Sequence, residues 1–156
     1  DQMGVIDEGR LLQTGTPQDV FSRPINADVA RVVGIETVLH GRVREIRDEL
    51  ATVQVGPVPV IAVASPGLES DVFVCIRAED VTLELAGSSE TSARNHLRGT
   101  VQAITSLGAL VRVTIDCGFL LTALVTRSAQ SELRLAIGSD VRAAFKAGSV
   151  HLIPRR

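Results

Sequence analysis

Tryptophan and tyrosine are absent from these 156 residues, and phenylalanine occurs only four times. Because 45 % of the residues are hydrophobic, the chain can still bury a core, but valine, leucine, isoleucine and alanine must supply it. Few aromatic rings and a net charge of -2 also argue against a nucleic-acid-binding protein, which typically offers a basic face and stacking rings.

The sequence also lacks a run of 18 apolar residues and a signal peptide, so we expect no membrane-spanning segment. Cys75 and Cys117 form no Cys-x-x-Cys pair and show no Cys/His spacing of the kind that binds metal. We therefore expect both to be small buried hydrophobic residues in a reducing compartment, with no disulfide framework and no metal site.

The residues that could carry out catalysis form no recognisable set. The chain has no nucleophile elbow, no glycine-rich phosphate loop and no pair of carboxylates at a plausible acid–base site. His40, His96 and His151 are scattered, and we expect His151 to face solvent at a strand end because it alternates with Val150 and Leu152. Enzymatic activity is therefore not expected within these residues.

The first 35 residues combine hairpin and helix patterns. Residues 3–13 predict a β-hairpin. Thr16 followed by Pro17 marks the start of a short helix, and Asn26 caps a second predicted helix over residues 27–33.

From Thr37 onward the hydrophobic pattern alternates with a period of two, which predicts β-strands joined by short turns. Gly108 and Gly118 mark two tight turns, a helical turn is predicted near residues 129–135, and residues 86–92 form a polar linker. The predicted strands cover residues 41–46, 50–55, 58–64, 72–76, 81–85, 99–105, 109–117, 119–125, 141–146 and 150–153. We therefore predict a mainly β protein of two small antiparallel barrels in tandem.

The two series of strands repeat one pattern. Leu39-His40-Gly41-Arg42-Val43 returns as Leu97-Arg98-Gly99-Thr100-Val101, and residues 71–83 return as residues 140–152. In both copies the apolar positions, the leading glycine and aspartate, and a basic residue before alanine coincide. One such unit is too short to bury much core alone, so we expect two units or two chains to share one, with ligand sites at the seams.

Three segments place hydroxyl and cationic donors at the ends of strands. They are Ser92-Ala93-Arg94-Asn95, Val125-Thr126-Arg127-Ser128 and Lys146-Ala147-Gly148-Ser149. Such donors, with exposed amides near glycine and at a helix N-terminus, suit a small oxyanion, whereas a bare cation would need carboxylate ligands. Taken alone, the same residues also fit ordinary capping and turn positions.

The order and spacing of these segments resemble the molybdate-binding Mop or TOBE module over about residues 92–153. Leu-x-Gly-x-Val, Leu-Gly-Ala-Leu-Val-Arg-Val and Phe-Lys-Ala-x-x-Val-His-Leu complete the pattern. Residues 37–85 resemble the more divergent first half found in C-terminal regions of molybdate-import ABC ATPases, with Val-Cys-Ile-Arg-Ala-Glu-Asp-Val at residues 74–81 as the similar motif. Residues 3–21 resemble the end of an ABC nucleotide-binding domain, just after its switch histidine.

The resemblance implies three regions. Residues 1–35 would be the end of a nucleotide-binding domain with its linker, residues 36–86 a first TOBE/Mop-like half, and residues 92–154 a second module with an OB-like barrel. Walker A, Walker B and the ABC signature motif do not occur, and Asp1 replaces an initiator methionine. We therefore expect a fragment of an ABC-type ATPase that cannot itself hydrolyse ATP.

The resemblance also implies the residues that would contact an oxyanion, carried over position by position. They are Ser92, Arg94 and Lys146 on one surface, Thr126 and Ser128 on a neighbouring one, and Ser149, which stands at a position that varies in the family. The family places its serine three residues after the threonine, where this chain has Ala129, so either the turn is shortened or a backbone amide replaces that contact.

The first half matches this set less well. Arg77 corresponds to Lys146, but Val63-Ala64-Ser65 is a poor match to the threonine–serine loop. We therefore expect a weaker or absent anion site there.

The function implied by the resemblance is regulatory: molybdate or tungstate, with no cofactor, would bind at the seam of a homodimer. The parent protein would act with transmembrane permease subunits at the cytoplasmic face of the membrane, without a nucleic-acid partner. Two alternatives stay open at this point. One is a TOBE module that only dimerises or positions the ATPase, and the other is an oligonucleotide-binding barrel, which the charge and the few aromatic residues disfavour.

Overall fold

The computed structural model describes residues 1–85 and 90–155 of the chain, and the predicted linker at residues 86–92 lies largely outside them. Strands dominate the described residues, which confirms the prediction of a mainly β protein. The strands are β1 (Met3–Asp7), β2 (Arg10–Gly15), β3 (Thr37–Arg47), β4 (Leu50–Val55), β5 (Val58–Val63), β6 (Asp71–Ile76), β7 (Thr82–Glu84), β8 (Asn95–Leu107), β9 (Leu110–Asp116), β10 (Leu120–Thr126), β11 (Asp140–Phe145) and β12 (Val150–Pro154). The helices are α1 (Pro17–Ser22), α2 (Ala27–Val32) and α3 (Arg127–Glu132), and short 3-10 turns occupy Ala78–Asp80 and Ala147–Ser149.

The N-terminal module, residues 1–35, is a hairpin followed by two capped helices. β1 and β2 pair antiparallel, as the sequence predicts. The Thr16 side chain accepts a hydrogen bond from the Asp19 amide at 3.1 Å, and the Asn26 side chain accepts one from the Val29 amide at 2.8 Å, so both predicted N-caps are confirmed. The hairpin and helices share a small core of Val5, Val20 and Val29.

The remaining strands form two five-stranded antiparallel sheets. The strand β7 lies in the sheet of β8–β11, and β12 lies in the sheet of β3–β6, so the two series of strands exchange their last members. The first sheet has the order β12-β6-β3-β4-β5, and the second has the order β10-β9-β8-β11-β7. We call β3–β7 the first half and β8–β12 the second half. Thr82 of the first half lies opposite Ala144, and Val150 of the second half lies opposite Ile76. The sequence predicts two barrels in tandem, whereas the structure shows two sheets that are each completed by the other half.

One hydrophobic cluster joins the two sheets. Valines predominate in it, as the scarcity of aromatic residues requires, and Phe145 is its one buried ring within the described residues. Fully buried members come from both sheets, for example Val53, Val74, Val113 and Leu121. Since both halves contribute to the same cluster, burial of apolar surface stabilises them together.

The repeated glycine of each half lies where a strand presses against its neighbour. A Cβ atom on Gly99 would lie 2.4 Å from Cγ2 of Ile115, and one on Gly41 would lie 2.6 Å from Cγ1 of Val53. Both distances are shorter than any ordinary carbon contact, so close approach of the strands explains why glycine recurs in the repeat. Gly108 and Gly118 adopt positive φ angles at the two turns that the sequence predicts.

Each half also covers an edge strand of the other half with a buried polar side chain. Asn95, which is 2 % exposed, accepts a hydrogen bond from the Ile61 amide at 2.7 Å and donates one to the Ile61 carbonyl at 2.8 Å. Thr37, at the corresponding start of β3, accepts a hydrogen bond from the Thr122 amide at 3.2 Å. Ile61 and Thr122 lie on the edge strands β5 and β10, so these contacts satisfy backbone groups that an open sheet edge would leave unpaired.

We expect Asn95→Ala to lower the free energy of unfolding by about 2–4 kcal/mol, because it removes two hydrogen bonds and leaves the backbone groups of Ile61 without them. Urea denaturation measures the change. Thr105→Ala is the matched control, because Thr105 is an exposed residue of the same strand and its loss should change stability by less than about 0.5 kcal/mol. Equal stability of the two variants would contradict the edge-covering role.

Candidate functional site

Three of the six sequence-predicted site residues line one cavity of about 430 Å³. We call it the Lys146 cavity, and its polar lining residues are Ser92, Lys146, Ser149, Glu79, Asp80, Glu84, Thr82 and Thr91. It lies where β7 joins β11 and where the segment before β8 passes the 3-10 turn Ala147–Ser149. The strand exchange therefore builds this cavity from both halves.

Lys146 is the only lysine of the chain, and its side chain is exposed at the mouth of the cavity. It directly precedes the 3-10 turn, and within residues 1–85 and 90–155 it makes no ion pair of 4 Å or less. Ser92 and Ser149 add hydroxyl groups to the same cavity. The arrangement supplies a cation and two hydroxyl donors, which are the groups that bind a small oxyanion.

Arg94 lies beside the Lys146 cavity rather than in it. Arg94 is exposed and lines a second cavity of about 500 Å³ with Glu90 and His96, and the two cavities share Thr91 and Ala93. The two cavities therefore adjoin, and Arg94 belongs to the neighbouring one.

Thr126 and Ser128 line neither of these two cavities. Thr126 caps α3, and its hydroxyl oxygen accepts a hydrogen bond from the Ala129 amide at 3.0 Å, so α3 begins at Arg127, two residues earlier than predicted. The amide of Ala129 is therefore already bonded within the chain, although the sequence left it open as an anion donor. The Thr126 hydroxyl can still donate, and both Thr126 and Ser128 are exposed.

Sequence reasoning missed the three carboxylates of the Lys146 cavity. Arg142 donates to Glu84 at 2.5 Å and 3.1 Å, and Arg77 lies 3.9 Å from Glu79, so these two charges are offset. Asp80 has no cationic partner within 4 Å among the described residues. Burial raises the pKa of Asp80, the neighbouring Glu79 raises it further, and Arg77 opposes the shift. No sequence pattern predicts the Arg142–Glu84 contact, because it depends on β7 joining the second sheet.

The corresponding place in the first half is filled by the chain itself. Arg77, the counterpart of Lys146, donates a hydrogen bond to the carbonyl of Phe21. Glu36, which stands where the second half has Arg94, forms an ion pair with Arg112 at 3.0 Å. The cations there are thus engaged by groups of the same chain.

His151 is half-buried and does not face solvent, so the sequence prediction for it is wrong. Its Nε2 lies 3.2 Å from the carbonyl oxygen of Pro24. Burial lowers the pKa of His151, and Arg23 and Arg77 lower it further, although the bond to Pro24 opposes them. The reason for the error is that β12 pairs with β6 in the other sheet, where the segment between α1 and α2 covers it.

The remaining features of the described residues suggest no further chemistry. Cys75 and Cys117 are both buried free thiols, as predicted, and burial raises the pKa of Cys75 to about 12. A larger cavity of about 580 Å³ has mixed charges from Arg98, Asp116 and Asp140 and contains none of the predicted site residues. Across residues 1–85 and 90–155 no cluster of three His, Cys, Asp or Glu residues is placed to hold a metal ion, and no helix has the length and hydropathy to cross a membrane.

Comparison with known proteins identifies the family. The TOBE domain family matches residues 91–152. The chain is 37 % identical, over 99 % of its length, to the molybdate/tungstate import ATP-binding protein WtpC of Pyrococcus horikoshii, and 35 % identical, over 96 % of its length, to WtpC of Pyrococcus abyssi. It spans 43 % and 42 % of the lengths of these relatives, which is less than half of each.

A solved structure with a similar fold is that of ModG, a cytoplasmic molybdate-binding protein, with molybdate bound. The TM-score is 0.66 with 29 % sequence identity, over 78 % of this chain and 98 % of ModG. Residues 91–152 are therefore a TOBE domain. More particularly, the chain is related to the C-terminal, TOBE-containing region of molybdate/tungstate import ATP-binding proteins, which confirms the resemblance found in the sequence.

We expect the thiols of the native protein to resist Ellman's reagent at pH 8, because with a pKa of about 12 roughly one Cys75 in 10⁴ is a thiolate and the side chain is only 1 % exposed. In guanidinium chloride both cysteines should react at once. Cys75→Ser assigns the signal, and rapid reaction of one thiol in the native protein would contradict its structural role.

Proposed function

We propose that this chain is the regulatory region of the ATP-binding subunit of a molybdate or tungstate importer. In this proposal it binds the tetrahedral dianion between the regulatory regions of two subunits. The WtpC relatives support the transport context, because the alignment covers nearly the whole chain. ModG supports the ligand class, because its molybdate-bound structure shares the fold over almost all of its own length.

The observation that carries the proposal is the convergence of Ser92, Lys146 and Ser149 on one cavity, with Arg94 in the adjoining cavity. These residues come from two separate segments that the sequence assigned to one site. A charged ammonium group and hydroxyl donors form hydrogen bonds to an oxyanion that are stronger than neutral ones.

The charge balance of the cavity favours a site that is completed by a second chain. With Glu84 and Glu79 offset by Arg142 and Arg77, the charges that remain at the cavity are Lys146 and Asp80. One ammonium group against one carboxylate is a poor match for a dianion. Further donors must come from outside, and the exposed segment Thr126–Ser128, which lies away from this cavity, would supply them from a neighbouring subunit.

Anion binding at such a seam would hold two regulatory regions in one arrangement. A ligand shifts a conformational equilibrium only by its preference for one state, and a tenfold preference corresponds to about 1.4 kcal/mol. In the parent protein this arrangement would keep the ATPase domains apart when the cell is replete with the anion. The N-terminal module, residues 1–35, would be the end of the ATPase domain and its linker, residues 36–86 and 92–154 the two regulatory halves, and permease subunits at the cytoplasmic membrane face the partners.

A second candidate function is a TOBE module that dimerises or positions the ATPase without binding a ligand. Two observations favour it: Ala129 replaces the serine expected from the family, and its amide is already bonded to Thr126. Titration calorimetry with molybdate separates the two functions, because only the first predicts binding.

We expect the chain to bind molybdate and tungstate in isothermal titration calorimetry at pH 7.5, and Lys146→Ala and Arg94→Ala to weaken binding at least tenfold each. The physical reason is that each substitution removes a cation from a site that has few of them. Arg44→Ala, at an exposed position on β3, is the control and should bind like the parent. Light scattering checks whether the complex is a dimer.

Titrations with sulfate and phosphate under the same conditions test whether binding is specific for molybdate and tungstate. Heat from molybdate and tungstate alone, with a dimeric mass, supports an oxyanion sensor at a shared seam. If the folded chain gives no heat with any anion, the second candidate function, a dimerisation module without a ligand, is supported instead. If Lys146→Ala and Arg94→Ala both bind molybdate like the parent, the site lies elsewhere.

We also expect Asp80→Asn to tighten molybdate binding about threefold or more, because it removes a negative charge from the wall of the cavity. Asp7→Asn changes the net charge equally in the exposed N-terminal hairpin, so it controls for the general charge effect. If the two variants have the same affinity, the anion does not bind in the Lys146 cavity.

A further inference from the structure

The repeat relates the Lys146 cavity to a second place in the molecule. Residues 140–152 repeat residues 71–83, so Arg77 corresponds to Lys146 and His151 corresponds to Thr82, which lines the Lys146 cavity. Arg77 and His151 therefore mark the first-half counterpart of that cavity.

The end of α1 and the connection that follows it fill this counterpart with two backbone carbonyl groups. Arg77 donates to the carbonyl of Phe21, and Nε2 of His151 lies 3.2 Å from the carbonyl oxygen of Pro24. A carbonyl oxygen only accepts hydrogen bonds, so Nε2 must carry the hydrogen. The lowered pKa of His151 keeps the ring neutral beside Arg77 and Arg23 at neutral pH.

Apolar packing continues the same contact along α2. Ala30 and Ile35 form a buried cluster with Cys75 of β6 and Ile153 of β12. Cys75 lies opposite His151 and two residues before Arg77, and Ile153 lies two residues after His151. The polar and apolar contacts therefore belong to one continuous surface.

We infer that the first-half counterpart of the Lys146 cavity is a docking site for residues 21–30 of the same chain, with Arg77 and His151 as positioning residues. Two backbone carbonyl oxygens of residues 21–30 occupy this site in place of an anion. Their hydrogen bonds to Arg77 and His151 fix the N-terminal module on the first sheet.

This docking site is linked to the Lys146 cavity through β12. The strand begins immediately after Ser149, and it carries both His151 and Ile153. A shift of the turn Ala147–Ser149 on anion binding would therefore move the strand that holds residues 21–30. This link rests on the proposed function, whereas the docking does not.

Hydrogen exchange of the full chain, followed by mass spectrometry, tests the docking. We expect Arg77→Ala and His151→Ala to speed exchange of the α1 and α2 amides at least tenfold, with exchange of β8 and β9 unchanged as a check that the fold is intact. Arg77→Lys and His151→Gln each keep an N–H donor and should restore at least part of the protection. Arg44→Ala is the matched surface control.

Exchange of residues 17–32 at the parent rate in both alanine variants would overturn the docking site. Loss of protection in both, with recovery in the conservative variants, establishes it. Sodium molybdate added to the parent chain tests the link: changed exchange at residues 17–32 supports it, and unchanged exchange while calorimetry shows binding overturns it. Absence of any calorimetric signal would defeat the proposed function and the link, whereas the exchange rates of the alanine variants would still decide whether residues 21–30 dock.

Discussion

The rest of the structure depends on the exchange of β7 and β12 between the two sheets. The strand β7 pairs with β11 of the second half, and β12 pairs with β6 of the first half. The buried residues of both sheets then form one cluster. Asn95 and Thr37 reinforce the exchange, because each bonds the backbone of an edge strand across the boundary. Without the exchange, neither half would cover enough apolar surface or close its sheet edges, as expected for units this short.

The exchange also determines the electrostatics of the candidate site. The residues that the sequence assigned to the oxyanion all belong to the second half, yet β7 carries Glu84 and the preceding turn carries Asp80 into their cavity. The Arg142–Glu84 ion pair joins the two halves at that point. The cavity built by one chain is therefore close to neutral, and in the function proposed above this is the physical reason to place further donors on a second chain.

The sequence alone was sufficient for the local structure but not for the pairing of strands. The caps at Thr16 and Asn26 were predictable because N-cap chemistry depends on neighbouring residues, and alternation located the strands from Thr37 onward. Alternation shows which face of a strand is buried but not which strand lies beside it. The same limit explains the error at His151, whose position is exposed on an isolated hairpin but covered once β12 crosses to the first sheet.

The exchanged strands also set the order in which the chain can fold. Val150 must reach Ile76, and Ala144 must reach Thr82, across long stretches of sequence, so the native contact order is high and loop-closure entropy opposes the early steps. On the ribosome, the first sheet stays incomplete until β12 has emerged, although its other four strands precede the whole second half. Both halves must then reach their native state in one late cooperative step, so a slow step in either half delays both.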